Sequence, residues 1–369
     1  MSDIMMCCDI RAKTERFTKN VLWKGMCDVK VETMLLSQKE IQSVVTMKDI
    51  VECVDRTFRG MGDGTVVNPT KVNLDLGETA AFPPYAGFMN AMPAYIGWCD
   101  SAGIKWAGGF LGERKAKGFP YITSMILLID PHLGHFRAVM DGAYITNMRT
   151  GAQTAVALKY MYGKGKTIRL GLYGAGMQGH TQTMAIAELF DIAEVMVYDV
   201  SRAAAERYAE DMKPFVKGRI TIASDPREAA AGDIAVCVTQ SKEEFFRYDW
   251  FRPGMILFPM GSYQECSDEC IEKADKIVVD HVGQALHRGA LAKHGTSGRL
   301  TEKDLYATIG ELAAGKKKGI VSADERVVCI PIGTGAMDVS VATVAWQRAR
   351  RRESAERTRS SSIKKPGRY

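Results

Sequence analysis

Between Ile168 and Asp199 the chain reads IRLGLYGAGMQGHTQTMAIAELFDIAEVMVYD, with Gly174, Gly176 and Gly179 in a GxGxxG spacing and an acid twenty residues further on. These residue types at this spacing suit the holding of a dinucleotide. Gly174 lets the chain turn tightly after a strand, Gly176 lets a pyrophosphate approach the main chain, and Gly179 lets the next helix pack close to that strand. The free N–H groups and partial positive charge at the helix N-terminus then face the phosphates. Met177 and Gln178 lie inside the same loop and join the cofactor-binding set. Asp199, at the end of a second apolar run, can accept hydrogen bonds from an adenosine ribose, which favours NAD. Arg202, three residues on, keeps NADP possible, because a guanidinium there accommodates a 2′-phosphate.

The elements around this loop predict an α/β fold in two parts. From Thr167 onward, the runs IRLGLYG, EVMVYDV, ITIAS, IAVCVT, MILFPMG and KIVVD read as strands, with helical segments such as SRAAAERYAEDMKPF between them. That alternation predicts a Rossmann doubly wound parallel sheet over residues 158–322. Asp225 with Pro226, and the TEKD run from Thr301, carry helix-start signals. A second, mixed α+β domain for dimerisation and substrate binding is expected from 34–157 together with 323–348. It holds an amphipathic helix from Met47 to Met61, strand-like runs around Lys71, Ala91, Gly103, Tyr121 to Ile129 and Phe136 to Met140, and a hairpin turn at DPHLG, 130–134. A helix from Ile145 to Tyr162 bridges the two domains. After residue 325 a strand, a glycine turn and a final helix follow, and the helix is expected to return to the first domain. Residues 1–33 form an extension and 349–369 a basic, disordered tail.

Composition narrows the function. With 46% hydrophobic and 25% charged residues the chain is an ordinary globular protein. No apolar run reaches the ~20 residues of a membrane span, and residues 1–33 lack the apolar core of a secretory signal. A cytoplasmic enzyme without a membrane partner is expected. Nine cysteines in no paired framework read as free thiols, and neither they nor the six histidines form a metal-ligand set, so no metal is expected. The net charge of +6 is local: nine Lys/Arg against two Glu between Arg348 and Arg368 make that segment +7 and the remainder −1. Such a tail describes a solubilising end better than a nucleic-acid partner.

Several further motifs give the chain a resemblance. GIKWAGGF with Lys105, ILLIDPHLGHFRAVMDG, TNMRTGAQTA with Arg149 and Thr150, GLYGAGMQGH, VTQS with Thr239, and GTGAMD with Asp338 follow in order. From about Met34 to Gln347 the chain resembles the ornithine cyclodeaminase and mu-crystallin family, which includes archaeal-type alanine dehydrogenase and imine reductases. The resemblance implies a homodimer and hydride transfer at the α-carbon of an L-amino acid or its imine, in a site between the two domains. It makes Lys105 and Arg149 the catalytic, substrate-binding pair. Lys105 polarises the reacting centre or shuttles a proton, and Arg149 clamps the α-carboxylate with its planar fork. Arg149, Thr150 and Thr239 also join the cofactor-binding residues. For proton transfer near neutrality Lys105 needs a lowered pKa, for which burial and neighbouring positive charge are the available causes. By residue type alone, Lys105 is equally an exposed strand-edge lysine, and Arg149 equally a helix cap or a phosphate contact.

Two departures from the family pattern bear on substrate binding. Lys71 stands where many relatives carry an arginine, keeping the charge and losing the fork. After the fifth strand, MGSYQECSDEC puts Tyr263 where cyclodeaminases carry the aspartate that handles the substrate's amine, and Glu265, Asp268 and Glu269 align only with a shift of the loop. Ring closure loses its base without that carboxylate. The expected activity is therefore an NAD(P)-dependent amino-acid dehydrogenase or ketimine reductase. The alternatives are ornithine cyclodeaminase, turning L-ornithine into L-proline and ammonia with catalytic NAD, and a non-enzymatic nucleotide or small-ligand binding protein, against which Lys105 and Arg149 argue.

Overall fold

The computed structural model describes residues 31–79, 85, 87–110 and 112–363; most of the expected N-terminal extension and residues 364–369 of the basic tail lie outside them. The first sheet contains β1 (Met34–Leu36), β2 (Val66–Val67), β3 (Val72–Asp75), β4 (Gly87–Ile96), β5 (Ser101–Phe110), β6 (Ile122–Ile129) and β7 (Phe136–Asp141). Its order is β1-β7-β6-β5-β4-β2, with β3 also on β4; β1 runs parallel to β7 and the other pairs are antiparallel, so the sheet is mixed as expected. The 130–134 turn joins β6 to β7. There the Asp130 carboxylate accepts the N–H groups of His132 and Leu133, and Gly134 takes a φ of 72° that a side chain would resist.

Strand periodicity decides what β5 presents. Successive side chains point to opposite faces, so Lys105 lies on the inner face, in register with buried Met92 of β4 and Ile126 of β6, while Trp106 points outward. Three helices pack near that inner face. Met47–Asp63 begins with a Thr46–Asp49 capping box and ends at Gly64, whose φ of 77° stops it. Ala143–Tyr162 is buried nearly all round, as a helix between two layers must be. Gly335–Ile363 packs on β4, β5 and the helix Met47–Asp63, the expected return to the first domain. The expectation of a disordered tail is corrected, since this helix continues to Ile363. The segment RARRRESAERTR is built of strong helix formers. Arg348 also anchors it, bonding both Asp49 oxygens at 2.6 and 2.7 Å and the Val44 carbonyl at 2.9 Å.

The second sheet is wholly parallel: β8 (Thr167–Tyr173), β9 (Asp191–Tyr198), β10 (Arg219–Ile222), β11 (Ile234–Cys237), β12 (Ile256–Pro259), β13 (Lys276–Val279), β14 (Ala307–Thr308) and β15 (Val327–Ile330), in the order β10-β9-β8-β11-β12-β15-β13-β14. All residues of β11, β12, β13 and β15 are buried, as in a sheet covered on both faces. This corrects the boundary expected at 322. β15 belongs to this sheet, slotted between β12 and β13, because VVCI is a continuous apolar run that only an interior position buries on both sides. The TEKD capping box forms as read, but around a single 3-10 turn, Glu302–Asp304, before the chain enters β14. Strand order reverses between β8 and β11, which places the crevice of this sheet at the end of β8, where the glycine loop lies.

Candidate active site

The glycine loop has the geometry its spacing predicts. Gly174 has a φ of 103°, and a Cβ on Gly179 would meet the Gly174 carbonyl at 2.3 Å, whereas a Cβ on Gly176 would point into open space. The first and third glycines thus serve turn and packing, and the second leaves the main chain bare at the start of the helix Met177–Ala187. No side chain caps that helix start, Met177 is exposed, and the buried Gln178 Oε1 has no protein partner. Asp199 Oδ2 accepts the Ala175 N–H and Oδ1 the Ser201 N–H, both at 2.8 Å, so its charge is fixed beside the loop. Arg202 turns to Glu206, 3.2 Å away along its own helix, rather than to Asp199. These features fit a dinucleotide.

Close packing links this cradle to the charged residues of the first sheet. A Cβ on Gly151 would sit 2.1 Å from the Thr181 carbonyl, so the helices Ala143–Tyr162 and Met177–Ala187 lie almost in backbone contact. Gln178 Nε2 donates to Asn147 at 3.1 Å, and Gln182 Nε2 reaches the Thr150 carbonyl at 3.5 Å. Arg149 stands on the first of these helices. Its Nε donates to Asp338 Oδ1 at 3.1 Å and its Nη1 to Gln153, one helical turn on. Lys105 Nζ meets the other Asp338 oxygen at 2.7 Å, with the lysine 2% exposed and the aspartate fully buried. Asp338 sits in the first turn of the helix Gly335–Ile363, where the helix dipole favours a carboxylate. Burial pushes the Lys105 ammonium down to about 7, helped by the Arg149 charge and opposed by Asp338. Burial also raises the Asp338 carboxyl, but Arg149 and Lys105 outweigh it and hold the group below its ordinary value. The cluster is therefore a carboxylate shared by an arginine and a lysine that can exchange a proton near neutrality.

A second tier of charge lies beside this triad. Burial lowers half-buried Lys71 to about 8, against the pull of Asp280 and with further lowering from Arg288 and Arg149. Asp280 follows β13 and is buried. Its Oδ2 accepts the Gly333 N–H at 2.6 Å and Gln153 Nε2 at 3.4 Å, its Oδ1 has no partner, and burial raises its pKa. Gly333, at φ 92°, leaves room for Arg149: a Cβ there would lie 2.7 Å from Nη1.

Of the residues picked out in the sequence, Lys105 and Arg149 come together on Asp338, Lys71 feels both, and the glycines with Asp199 form the cradle. Thr150 Oγ1 donates to the Thr146 carbonyl on its own helix. Thr239 donates its N–H and hydroxyl to Glu265 Oε1 at 2.8 and 2.6 Å. Tyr263 is 47% exposed, its ring 6.0 Å from Lys242 Nζ and near enough to Tyr121 to raise that phenol's pKa together with burial. Among the acids of its loop, Glu265 is buried and also accepts the Gly261 N–H at 2.7 Å; Asp268 is taken by Lys293, His294 and Gln264, and Glu269 by Lys273. The readings from sequence missed Gln153, Asp280 and Arg288, and had Asp338 only as a motif marker. Gln153 was signalled by its i+4 spacing from Arg149, and Asp280 by ending a buried parallel strand. Among the described residues no group of three His, Cys, Asp or Glu is placed to hold a metal, and no helix is long and apolar enough to cross a membrane.

Hydride transfer at a carbon bearing nitrogen needs a nicotinamide dinucleotide held in place and a desolvated group able to trade a proton beside it. This fold packs a glycine loop that fits such a dinucleotide against the helix that carries Arg149 beside the desolvated Lys105, the equipment of an NAD(P)-dependent oxidoreductase. Comparison with known proteins agrees. The profile of the ornithine cyclodeaminase/mu-crystallin family matches residues 31–353. Alanine dehydrogenase of Archaeoglobus fulgidus is 33% identical over 86% of this chain and 96% of its own. The structure of Thermococcus litoralis Δ1-pyrroline-2-carboxylate reductase in complex with NADH and L-proline superposes with a TM-score of 0.80 at 29% identity, covering 87% of this chain and 98% of that one. An archaeal alanine dehydrogenase dimer with bound NAD gives 0.78 at 32% identity, over 87% and 97%. The chain belongs to the ornithine cyclodeaminase/mu-crystallin family.

Proposed function

We propose that the protein is an NAD-dependent dehydrogenase of L-amino acids that in reverse reduces the corresponding imines, active as a cytoplasmic homodimer. The observation that carries the reading is Lys105, desolvated, bonded to Asp338 and titrating at about 7 beside Arg149. When bound, the dinucleotide supplies or accepts the hydride at the α-carbon. Arg149, fixed by Asp338 and Gln153, binds the α-carboxylate through its remaining N–H groups. In the reductive direction protonated Lys105 gives its proton to the imine nitrogen as the α-carbon gains the hydride; in the oxidative direction neutral Lys105 takes it back. Asp338 keeps the lysine oriented and offsets part of the positive charge.

Several observations support the finer points. The fixed Asp199 carboxylate would repel a 2′-phosphate, and Arg202 is engaged elsewhere, which favours NAD over NADP. The acids near Tyr263 are already engaged, Glu265 by Thr239 and Gly261, Asp268 by Gln264, Lys293 and His294, and Glu269 by Lys273, which leaves a ring-closing attack without a base and favours a dehydrogenase over a cyclodeaminase. Leu35, Val72, Trp106, Met125 and Phe136 of the first sheet are exposed, an apolar set suited to a second copy. The described cysteines carry free thiols, as in a reducing compartment. The test is a panel of L-amino acids, including alanine, ornithine, lysine and arginine, with NAD, following NADH absorbance and ammonia together. Ammonia matched by NADH is expected, because water hydrolyses the imine left by hydride loss to the oxo acid and ammonia; ammonia from ornithine without NADH overturns the reading.

A further inference from the structure

We propose that Glu265 is a positioning residue for the nicotinamide half of the dinucleotide, acting through Thr239 and Gly261, which stand just past the ends of the adjacent strands β11 and β12. The inference rests on the oxidoreductase reading above. Glu265 is fully buried, and both its carboxylate oxygens are engaged by those two segments. Oε1 accepts the Thr239 N–H at 2.8 Å and the Thr239 hydroxyl at 2.6 Å, while Oε2 accepts the Gly261 N–H at 2.7 Å. Its main-chain carbonyl accepts the N–H groups of Phe245 and Phe246, each at 3.0 Å. One residue therefore closes the segment from Thr239 to Phe246 at both ends and ties it to the end of β12.

The tied segments lie at the crevice. The Met260 N–H donates to the Cys237 carbonyl at 2.9 Å, so β11 and β12 end side by side. A Cβ on Gly174 would lie 2.8 Å from the Val238 carbonyl, which puts the start of the Thr239 segment against the first glycine of the cradle. Met260 Sδ accepts the Thr154 hydroxyl at 3.1 Å and Gln182 Nε2 at 3.4 Å, so the Gly261 segment begins between the helices Ala143–Tyr162 and Met177–Ala187. A dinucleotide lies across such a crevice with one nucleotide on each half of the sheet. Asp199, the acid suited to an adenosine ribose, follows β9, so the nicotinamide nucleotide falls to the half of β11 and β12.

The tie needs a carboxylate. Every group on it is an N–H or O–H donor, and an ionised carboxylate only accepts. A glutamine of the same shape turns its NH2 toward either Thr239 or Gly261 and leaves a main-chain N–H without an acceptor. The tie also needs a glycine, because a Cβ on Gly261 would sit 2.7 Å from Glu265 Cδ and displace the carboxylate. Burial raises the Glu265 carboxyl, and the bonds from Thr239 and Gly261 pull it back toward the ionised form.

The test measures, by calorimetric titration, the Kd of NADH and of ADP-ribose, which lacks the nicotinamide, for the wild type, E265Q and G261A. The expected result is an NADH Kd raised about tenfold in both variants, with the ADP-ribose Kd within about twofold of wild type. Melting temperature reports folding, and G261A, which keeps the glutamate, decides the matter if E265Q does not fold. An unchanged NADH Kd in the folded variants, or equal weakening of NADH and ADP-ribose, overturns the inference, because Glu265 then acts on neither half of the cofactor or on the whole domain. A wild type that binds neither ligand instead removes the reading on which it rests.

Discussion

The two halves of the site are made from different materials. The cofactor cradle is backbone: Gly174, Gly176 and Gly179 act through absent side chains, and Asp199 grips main-chain N–H groups. The reacting half is side chain: Lys105, Arg149 and Asp338 arrive from a strand and two helices and meet buried from solvent. A backbone site is specified over a short stretch and tolerates a solvated setting. A buried charge cluster depends on the whole fold to bring its members together, and each member sets the protonation of the others. Damage to the cradle should change affinity, and damage to the cluster should change chemistry and stability.

The largest effect is expected from Lys105→Met, which keeps the volume and removes the proton. Turnover should fall by about a thousandfold, with NADH binding, read by fluorescence titration, close to wild type. Loss of NADH binding to the same degree would break the division between the two halves. Asp338→Asn leaves Lys105 and Arg149 buried without their shared carboxylate. It should cost about 3 kcal/mol of stability in denaturant unfolding. Because Asp338 holds the Lys105 pKa up, the variant's reductive pH profile should also move to lower pH.

The glycines sharpen the comparison inside the cradle. A methyl at Gly179 meets the Gly174 carbonyl at 2.3 Å, so Gly179→Ala should lower the melting temperature and weaken NADH together. Gly176 has open space around it, so Gly176→Ala should leave the melting temperature alone and still raise the NADH Kd, by about tenfold. Equal thermal loss in both variants would mean that Gly176 is structural. An effect of similar size, confined to cofactor choice, is expected from Asp199→Ala, with NADP gaining on NAD by about tenfold in relative kcat/KM.

The same division explains what could be read from the sequence. The cradle was legible because its requirements are local: a strand, glycines at fixed intervals, a helix and an acid within one βαβ unit. The inward aim of Lys105 was not, since Ile104 and Trp106 suit either face, and only the register of β5 with Met92 and Ile126 decides it. Asp338 lies 233 residues from Lys105, and no spacing rule ties them. The place of β15 in the second sheet is not legible, because a short apolar strand carries no mark of which sheet it enters. The charge of the tail suggests disorder, although the same residues are strong helix formers that prolong a helix already anchored by Arg348.

The most direct test of the account is the pH dependence of kcat/KM in both directions of the reaction. With Lys105 titrating at about 7, the reductive rate should fall and the oxidative rate should rise as pH increases through that value. Rates flat in both directions from about pH 6 to about pH 9 would show that Lys105 does not carry the proton.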